Sequence, residues 1–304
     1  MRPVLLELDE ALERQPGLRA AAAARGGAEL AARDLGPALR LWSRPGVLRA
    51  LARRFEAALP PGREPEVVFA GSGDFHHVTP LLLERAIARA GEPVTVLHFD
   101  NHPDWARLTV GPHCGAWVRR AARMGGVAQV ITVGLTSEDV GAKADEGDLA
   151  LVAQGRLQLF AWRAPGGAAE LRIGDHAWPT VAHLGESAFL DHLDAAVRTR
   201  SVYVTIDKDV LRPEDAVTNW DQGEASLDFI EAAVRRIAWR RRLVGADVVG
   251  DWSRPAYGHG PMAWAKRAEA FLDQPRRAPD AELACAVNEA ANLRLLNLFA
   301  GAAA

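Results

Sequence analysis

The sequence predicts an α/β protein with a mostly parallel sheet and helices on both faces. Two observations support this prediction. From about residue 65 onward, short apolar runs rich in β-branched residues alternate with amphipathic stretches of helical period. Acidic and imidazole side chains directly follow several of these runs. Strands alternating with helices form right-handed crossovers, and open sheets of this kind bind ligands where their strands end.

Length and composition indicate a globular chain with a large core. Of the 304 residues, 49% are hydrophobic and 25% are charged. We expect one domain over residues 1–304. The formal net charge of −3 gives no reason to expect a nucleic acid or an anionic membrane as partner. A small-molecule substrate is the expected partner, and a homo-oligomer is compatible with the sequence.

The cysteines and the amino-terminal residues bear on the compartment. Cys114 and Cys285 lie far apart, so we expect neither a disulfide framework nor a Cys-x-x-Cys metal site. Acids interrupt the first ten residues too early for a signal peptide, and no apolar run approaches the length of a membrane span. These features predict a cytoplasmic protein.

Residues 1–64 are predicted to form a variable helical segment. The stretches 18–33 and 47–59, rich in alanine and arginine, are typical of surface helices, and prolines at positions 45, 60 and 61 interrupt them. Beyond this segment, Pro80 and Gly91 mark the ends of a helix with Thr79 as its N-cap, and Ser226 caps a later helix. The predicted strands are 67–70, 94–97, 127–135, 157–162, 202–209 and 243–249; the other predicted helices are 114–124, 226–240, 261–273 and 279–298, and 164–180 is a loop.

Side chains that bind metals follow four of the predicted strands. After the apolar run 94–97, Asp100, His102 and Asp104 occupy alternate positions, which point to one side of an extended segment. Carboxylates mixed with imidazole suit a divalent ion such as manganese, iron or zinc. Because parallel strands end at a common edge, the remaining clusters are expected at the same place. They are Asp74, His76 and His77; Asp207 and Asp209; and Asp251.

Three of these motifs, taken in order, resemble the arginase and agmatinase ureohydrolases. That family has Gly-Gly-Asp-His, Asp-x-His-x-Asp and Asp-x-Asp motifs, each after a parallel strand. Residues 73–77 resemble the first motif with one residue inserted, 100–104 match the second, and 206–211 followed by Pro213 match the third. The resemblance spans roughly residues 66–255. It implies an arginase-like three-layer αβα fold.

The resemblance also implies a dinuclear manganese centre. A hydroxide shared by two ions about 3.5–4 Å apart would attack a guanidino or formimino C–N bond. Asp100 and Asp207 would bridge the ions, and His113 resembles the proton-shuttling histidine of the family. The ligands implied by the motifs are His76, Asp100, His102, Asp104, Asp207 and Asp209.

Two departures from the family pattern affect the predicted site. The inserted residue leaves His77 as an alternative to His76, and the apolar register of Val78 favours His76. Where the family has a glutamate that binds the guanidinium, residues 246–252 contain none, and Asp251 is the nearest acid. We therefore predict Asp251 as the substrate anchor. Substrate identity, the metal used in the cell and the number of subunits stay open.

Two alternative functions remain. One is a single-zinc amide hydrolase resembling histone deacetylases and acetylpolyamine hydrolases, which the tandem His76-His77 supports. The other is a metal-binding member of the family without turnover. Asp104 and the Asp207–Asp209 pair favour the dinuclear centre, because a lone zinc needs only three protein ligands.

Other polar residues near these motifs receive structural predictions. His98 lies within the apolar strand and is expected to be a core histidine with satisfied hydrogen bonds. Lys208 points away from its aspartate neighbours and is expected to form a salt bridge on the other face. Cys114 is expected to line the pocket rather than act as a nucleophile.

Overall fold

Eight parallel strands form the central sheet of this protein. The computed structural model describes residues 1–60, 62, 64–107, 109–276 and 278–301. The strands of the sheet are β1 (Arg2–Glu7), β2 (Ala28–Ala31), β3 (Glu66–Phe69), β4 (Val94–Phe99), β5 (Val127–Leu135), β6 (Leu157–Ala161), β9 (Ser201–Asp207) and β10 (Arg242–Val249), with the hairpin β7 (Glu170–Ile173) and β8 (His176–Pro179) outside it. Their order is β2-β1-β3-β10-β9-β4-β5-β6.

Helices flank this sheet in the α/β/α arrangement that the sequence predicts. Every residue of β3, β4 and β9 is buried, as expected of parallel strands covered on both faces. The helices are α1 (Pro16–Ala23), α2 (Gly36–Leu39), α3 (Pro45–Ala58), α4 (Thr79–Ala90), α5 (Trp117–Ala121), α6 (Leu149–Ala153), α7 (Val181–Leu184), α8 (Glu186–Ala196), α9 (Leu227–Arg240), α10 (Pro261–Asp273) and α11 (Ala281–Gly301). None of the helices in the described ranges combines the length and apolarity needed to cross a bilayer.

Several helix ends follow local sequence signals. The Ser226 hydroxyl accepts a hydrogen bond from the Phe229 N–H at 3.1 Å, as the predicted cap requires. Gly91 ends α4 in the left-handed region with φ 66°, also as predicted. The prediction that Thr79 is the N-cap of α4 is wrong. Thr79 is the first residue of the helix, and its hydroxyl donates to Asp247.

The predicted helical segment over residues 1–64 contains the helices α1, α2 and α3, but it also contains two strands of the sheet, which the sequence did not predict. Its apolar run Val4-Leu5-Leu6 lies in β1, which pairs with both β2 and β3 inside the sheet. Two further boundaries differ from the predictions. The segment 164–180 contains the β7–β8 hairpin rather than only a loop, and the predicted helix 114–124 is a 3₁₀ turn followed by the short α5.

The four strands that carry the metal-binding motifs are neighbours at the centre of the sheet, in the order β3-β10-β9-β4. Ile206 of β9 is in register with Phe99 of β4 on one side and Val248 of β10 on the other. The residues that follow these strands therefore emerge together at one edge. This strand order brings the motifs within reach of one another.

Candidate metal centre

A cavity of about 440 Å³ opens at the carboxyl ends of the central strands. Its wall includes Asp100, His102, Asp104, Asp207 and Asp209, which are five of the six predicted ligands. The structure brings these residues together although up to 109 positions separate them along the chain (209 minus 100).

The sixth predicted ligand, His76, lies directly against this group. Its Nδ1 is 3.2 Å from Asp100 Oδ2, 3.3 Å from Asp104 Oδ2 and 3.4 Å from Asp207 Oδ2. The ring is 1% exposed, and among the described residues Nδ1 makes no hydrogen bond of regular geometry. An unpaired buried nitrogen that faces three carboxylates fits a metal ligand better than a structural histidine.

The other ring nitrogen of His76 has a defined partner. The Thr205 hydroxyl donates to Asp247 Oδ1 at 2.8 Å, so its oxygen accepts the proton of His76 Nε2, also at 2.8 Å. This arrangement places the lone pair of the neutral imidazole on Nδ1, toward the carboxylates. Burial would lower the pKa of His76, but the neighbouring aspartates raise it well above its ordinary value.

Potential ligand atoms form two groups that share one residue. The first group is His76, His98, Asp100 and Asp104, and the second is Asp100, His102 and Asp209; within each group the candidate ligand atoms lie within 4.8 Å of one another. Asp100 belongs to both groups, which is the position expected of a bridging carboxylate. Two adjacent ions therefore fit this arrangement of residues.

Two carboxylates of the cluster, Asp104 and Asp209, have a raised proton affinity, whereas the nearby histidines hold the pKa of Asp100 well below its ordinary value despite its burial. Burial and the charge of Asp100 raise the pKa of Asp104 to about 6. Burial and the charges of Asp100 and Asp207 raise the pKa of Asp209 well above its ordinary value. Nearby cations would favour the ionised forms of Asp104 and Asp209, and divalent ions would supply that charge.

Glycines leave space for the Asp207 carboxylate. A Cβ added at Gly73 would lie 2.6 Å from Asp207 Oδ2, and one added at Gly250 would lie 2.5 Å from Asp207 Oδ1. Gly250 also has φ 97°, which side chains rarely adopt. The carboxylate is thus held between two backbone segments that only glycine allows to approach so closely.

His98 and Cys114 agree with their predicted structural roles. His98 is fully buried; its Nε2 donates to Asp100 Oδ2 at 2.7 Å, and its Nδ1 lies 3.0 Å from the Thr132 hydroxyl. It belongs to one potential ligand group, yet both nitrogens are already paired. Cys114 lines the cavity, and burial raises the pKa of its thiol well above the ordinary value, which keeps it protonated.

His113, the predicted proton carrier, also lines the cavity. Its Nδ1 accepts the Gly115 N–H at 2.9 Å, which leaves the proton on Nε2. Nε2 donates to Glu269 Oε1 at 2.6 Å. Glu269 lies on α10, more than 150 residues later, and no local sequence signal pointed to it.

The prediction that Asp251 anchors the substrate is wrong. Asp251 is 1% exposed and is not part of the cavity wall. Its Oδ1 accepts from Lys208 Nζ at 2.6 Å and from Gln15 Nε2 at 3.0 Å, and Asn292 Nδ2 also donates to it. The carboxylate is used to neutralise a buried ammonium, so it has no free face toward a ligand. The predicted salt bridge of Lys208 is confirmed.

Asp74 and His77 lie beside the centre but outside it. Asp74 is fully buried and accepts from Arg40 at 2.5 Å and from Trp220 Nε1 at 2.9 Å. His77 lines a separate cavity of about 470 Å³, and burial lowers the pKa of its ring to about 3. Within the described residues neither of its nitrogens has a hydrogen-bond partner. His76, not His77, faces the carboxylates.

Fold and site together define a parallel α/β protein with a cluster of carboxylates and imidazoles, suited to two divalent ions, at the strand ends. The sequence model of the arginase family matches residues 10–155, which include the first two motifs. Asp207 and Asp209 lie beyond this match and join the cluster through the fold.

Solved structures with the same fold include several enzymes of that family. A hypothetical agmatinase from Burkholderia thailandensis superposes with a TM-score of 0.60 at 19% identity, over 98% of this chain and 84% of that one. Arginase from Bacillus caldovelox gives 0.61 at 15% identity over 98% of both chains. Proclavaminate amidino hydrolase from Streptomyces clavuligerus gives 0.60 at 16% identity, over 99% of this chain and 92% of that one. At these identities the likeness establishes the fold.

A sequence relative is an uncharacterised protein from Thermotoga maritima. It is 26% identical over 185 residues, which is 61% of this chain, and the match spans only 58% of the relative's own length. Taken together, the family match over residues 10–155 and the shared fold of the structural neighbours support the resemblance to the arginase, or ureohydrolase, family that the motifs indicate.

Proposed function

We propose that this protein is a dinuclear, manganese-dependent hydrolase that acts on the C–N bond of a guanidino or formimino compound. The convergence of the six potential ligands is the observation that supports the proposal most strongly: five of them fall in two groups that share Asp100, and Asp207 Oδ2 lies 3.4 Å from His76 Nδ1. The arginase, agmatinase and amidino hydrolase names of the structural neighbours agree with this reaction class.

The residues would divide between two ions. His76 and Asp104 would hold one ion, His102 and Asp209 the other, and Asp100 and Asp207 would bridge them. When bound, two such ions would polarise the group under attack and lower the pKa of a water molecule so that it becomes nucleophilic at neutral pH. The overall reaction adds water across the C–N bond, so that a guanidino compound yields urea and an amine.

His113 is proposed to give a proton to the departing amine. The backbone N–H of Gly115 keeps the ring proton on Nε2, and Glu269 accepts that proton in a hydrogen bond. A neutral imidazole cannot give up its only proton, so His113 would act as an acid only after Nδ1 releases the Gly115 N–H and takes a second proton from the attacking water. The Nε2 proton would then pass from Glu269 to the amine, and the ring would return to its neutral form. The Glu269 carboxylate would stabilise the imidazolium form of His113 through its contact with Nε2.

The charge of the cavity wall favours a cationic substrate. Two divalent ions would balance the four ligand aspartates, and the wall carries five further acids against one lysine, Lys143. Because opposite charges attract, a guanidinium or amidinium group is favoured over an anion. The five acids are Glu138, Asp139, Glu146, Asp221 and Asp273. A cytoplasmic location and a small-molecule substrate complete the proposal.

The alternative of a single-zinc amide hydrolase has less support. It needs both His76 and His77 at the reacting centre, whereas His77 lines the other cavity. It would also leave several carboxylates without a cation, because a lone zinc uses three protein ligands.

Metal analysis combined with a product screen tests the proposal. After reconstitution with manganese, elemental analysis should find two ions per chain, and one guanidino or formimino compound should release urea or ammonia. One ion or none at full loading would contradict the dinuclear centre. Cleavage of an acetylated amine by the zinc form, with no product from guanidino or formimino compounds, would move the function to amide hydrolysis. Two bound ions without turnover of any of these compounds would identify a binding protein.

A further inference from the structure

We propose that Asp221 is a positioning residue that fixes the His102 ring for metal binding. His102 lies between two carboxylates, with Nδ1 3.0 Å from Asp209 Oδ2 and Nε2 3.0 Å from Asp221 Oδ1. Only Nδ1 faces the ligand group that contains Asp100 and Asp209. The inference rests on the proposed metal centre and concerns one residue that the arginase-like motifs do not include.

The position of the single proton on the His102 imidazole explains the proposed role of Asp221. A metal ion at Nδ1 would take the lone pair of that nitrogen, so the single ring proton must be on Nε2. There the proton meets the carboxylate of Asp221, which orients the ring and makes Nδ1 a stronger donor to the metal. Carboxylates in this position at other metal sites typically contribute about 10- to 100-fold in metal affinity.

Asp221 is held in place by the end of the neighbouring strand. Asn101, just after β4, donates from Nδ2 to Asp221 Oδ2 at 3.0 Å and to the Asp221 backbone carbonyl at 3.1 Å. The Asn101 side-chain oxygen in turn accepts the Thr136 N–H at 3.1 Å. Before Asp221, the Trp220 indole N–H is bound to Asp74. Both carboxylate oxygens are therefore fixed without being buried.

The two proposed ligand histidines are oriented in a similar way, each by a hydrogen bond from Nε2 toward a carboxylate. His76 Nε2 reaches the Asp247 carboxylate through the Thr205 hydroxyl, in the interior of the sheet. His102 Nε2 reaches Asp221 directly, at the cavity wall. The Asp221 side chain is 58% exposed, whereas Asp247 is 1% exposed. Asp221 can therefore be replaced without burying an unpaired charge.

Manganese titration of Asp221→Asn and Asp221→Ala, followed by calorimetry, tests the inference. The manganese affinity of one of the two binding steps should fall by about 10- to 100-fold, and by more in the alanine variant than in the asparagine variant. The affinity of the other step should stay within about twofold of the wild-type value. The Co²⁺-substituted variants should show a changed visible absorption spectrum, because one imidazole ligand is reoriented. In a His102→Ala background the Asp221→Ala change should have no further effect on metal affinity.

Glu224→Gln is the matched control. It removes the same charge from the same loop, and Glu224 pairs with exposed Arg163 rather than with a ligand. Both manganese affinities should then match the wild type, and all metal-free variants should melt within about 1 °C of it. Unchanged manganese binding by Asp221→Ala would overturn the inference. If kcat/KM fell while manganese binding stayed unchanged, Asp221 would act on the substrate and not on His102. Wild-type protein that binds fewer than two ions would refute the proposed function itself.

Discussion

Replacement of Asp251 by asparagine separates a role in the fold from a role in substrate binding. Asp251 accepts from Lys208 Nζ at 2.6 Å, and the side chains of Lys208 and Asp251 are 0% and 2% exposed. Asparagine keeps the size of the side chain but removes its charge. The Lys208 ammonium would then be buried with only neutral partners, among them Asn292 Oδ1 at 3.0 Å.

The loss of this ion pair should destabilise the protein by about 3 kcal/mol. Removal of one partner of a buried pair costs roughly 3–5 kcal/mol. The lower end applies because Asn292 still accepts a hydrogen bond from Lys208. If Lys208 instead became neutral in the folded variant, deprotonation at pH 7 of a group with an unfolded pKa of about 10.4 would cost about 4.6 kcal/mol. This value is an upper limit on the destabilisation. For a chain of this length, about 3 kcal/mol lowers the melting temperature by roughly 6 °C.

Thermal melts followed by circular dichroism, on protein stripped of metal with a chelator, measure this effect. Asp228→Asn is the control, because Asp228 pairs with Arg294 at the exposed surface and its loss should change the melting temperature by less than about 1 °C. The double variant Lys208→Met with Asp251→Leu should recover part of the lost stability, since it leaves no unpaired charge.

Metal binding and turnover of Asp251→Asn distinguish the two roles. Well below its melting temperature, the variant should hold two ions and release product at the wild-type rate, because Asp251 is not part of the cavity wall. An unchanged melting temperature together with at least about tenfold slower turnover of a guanidino substrate would refute this reasoning. It would restore the substrate-anchoring role that the sequence suggested.

Two further predictions concern the metal ligands. His76→Ala should lose one of two manganese ions and most activity, whereas His77→Ala should keep both, as elemental analysis would show; the reverse result would make His77 the ligand. Gly73→Ala should weaken manganese binding measurably, because its Cβ would meet Asp207 Oδ2 at 2.6 Å, while Gly125→Ala, which has open space around its Cβ, should bind manganese as the wild type does. Equal manganese affinity in the two glycine variants would show that Asp207 moves aside without loss.

The parallel sheet and most of the ligand cluster were predictable because their signals are local. The β-branched runs that form β4 and β5 are contiguous, and Asp100, His102 and Asp104 follow β4 at alternating positions. Parallel strands end at one edge of a sheet, and this general rule predicted that the separate motifs lie close together. That rule required no knowledge of the strand order.

The predictions that failed depended on partners that local sequence does not specify. The apolar run of β1 is short and acids follow it, so its burial between β2 and β3 could not be inferred from the segment itself. Asp251 has the composition and position of an anchoring acid, but the side chain of Lys208 reaches it first. Whether a carboxylate is free depends on which cation the fold places beside it.

The sequence by itself determined the fold class, the edge at which the site forms and the types of ligand available there, because periodicity and residue chemistry are properties of short segments. Only the tertiary structure decided which polar groups become partners. His113 meets Glu269 from α10, and His102 meets Asp221 from a loop 119 residues further along the chain. Such contacts depend on the order of the strands and the path of the loops. Both are set by the free energy of the whole chain and not by that of any one segment.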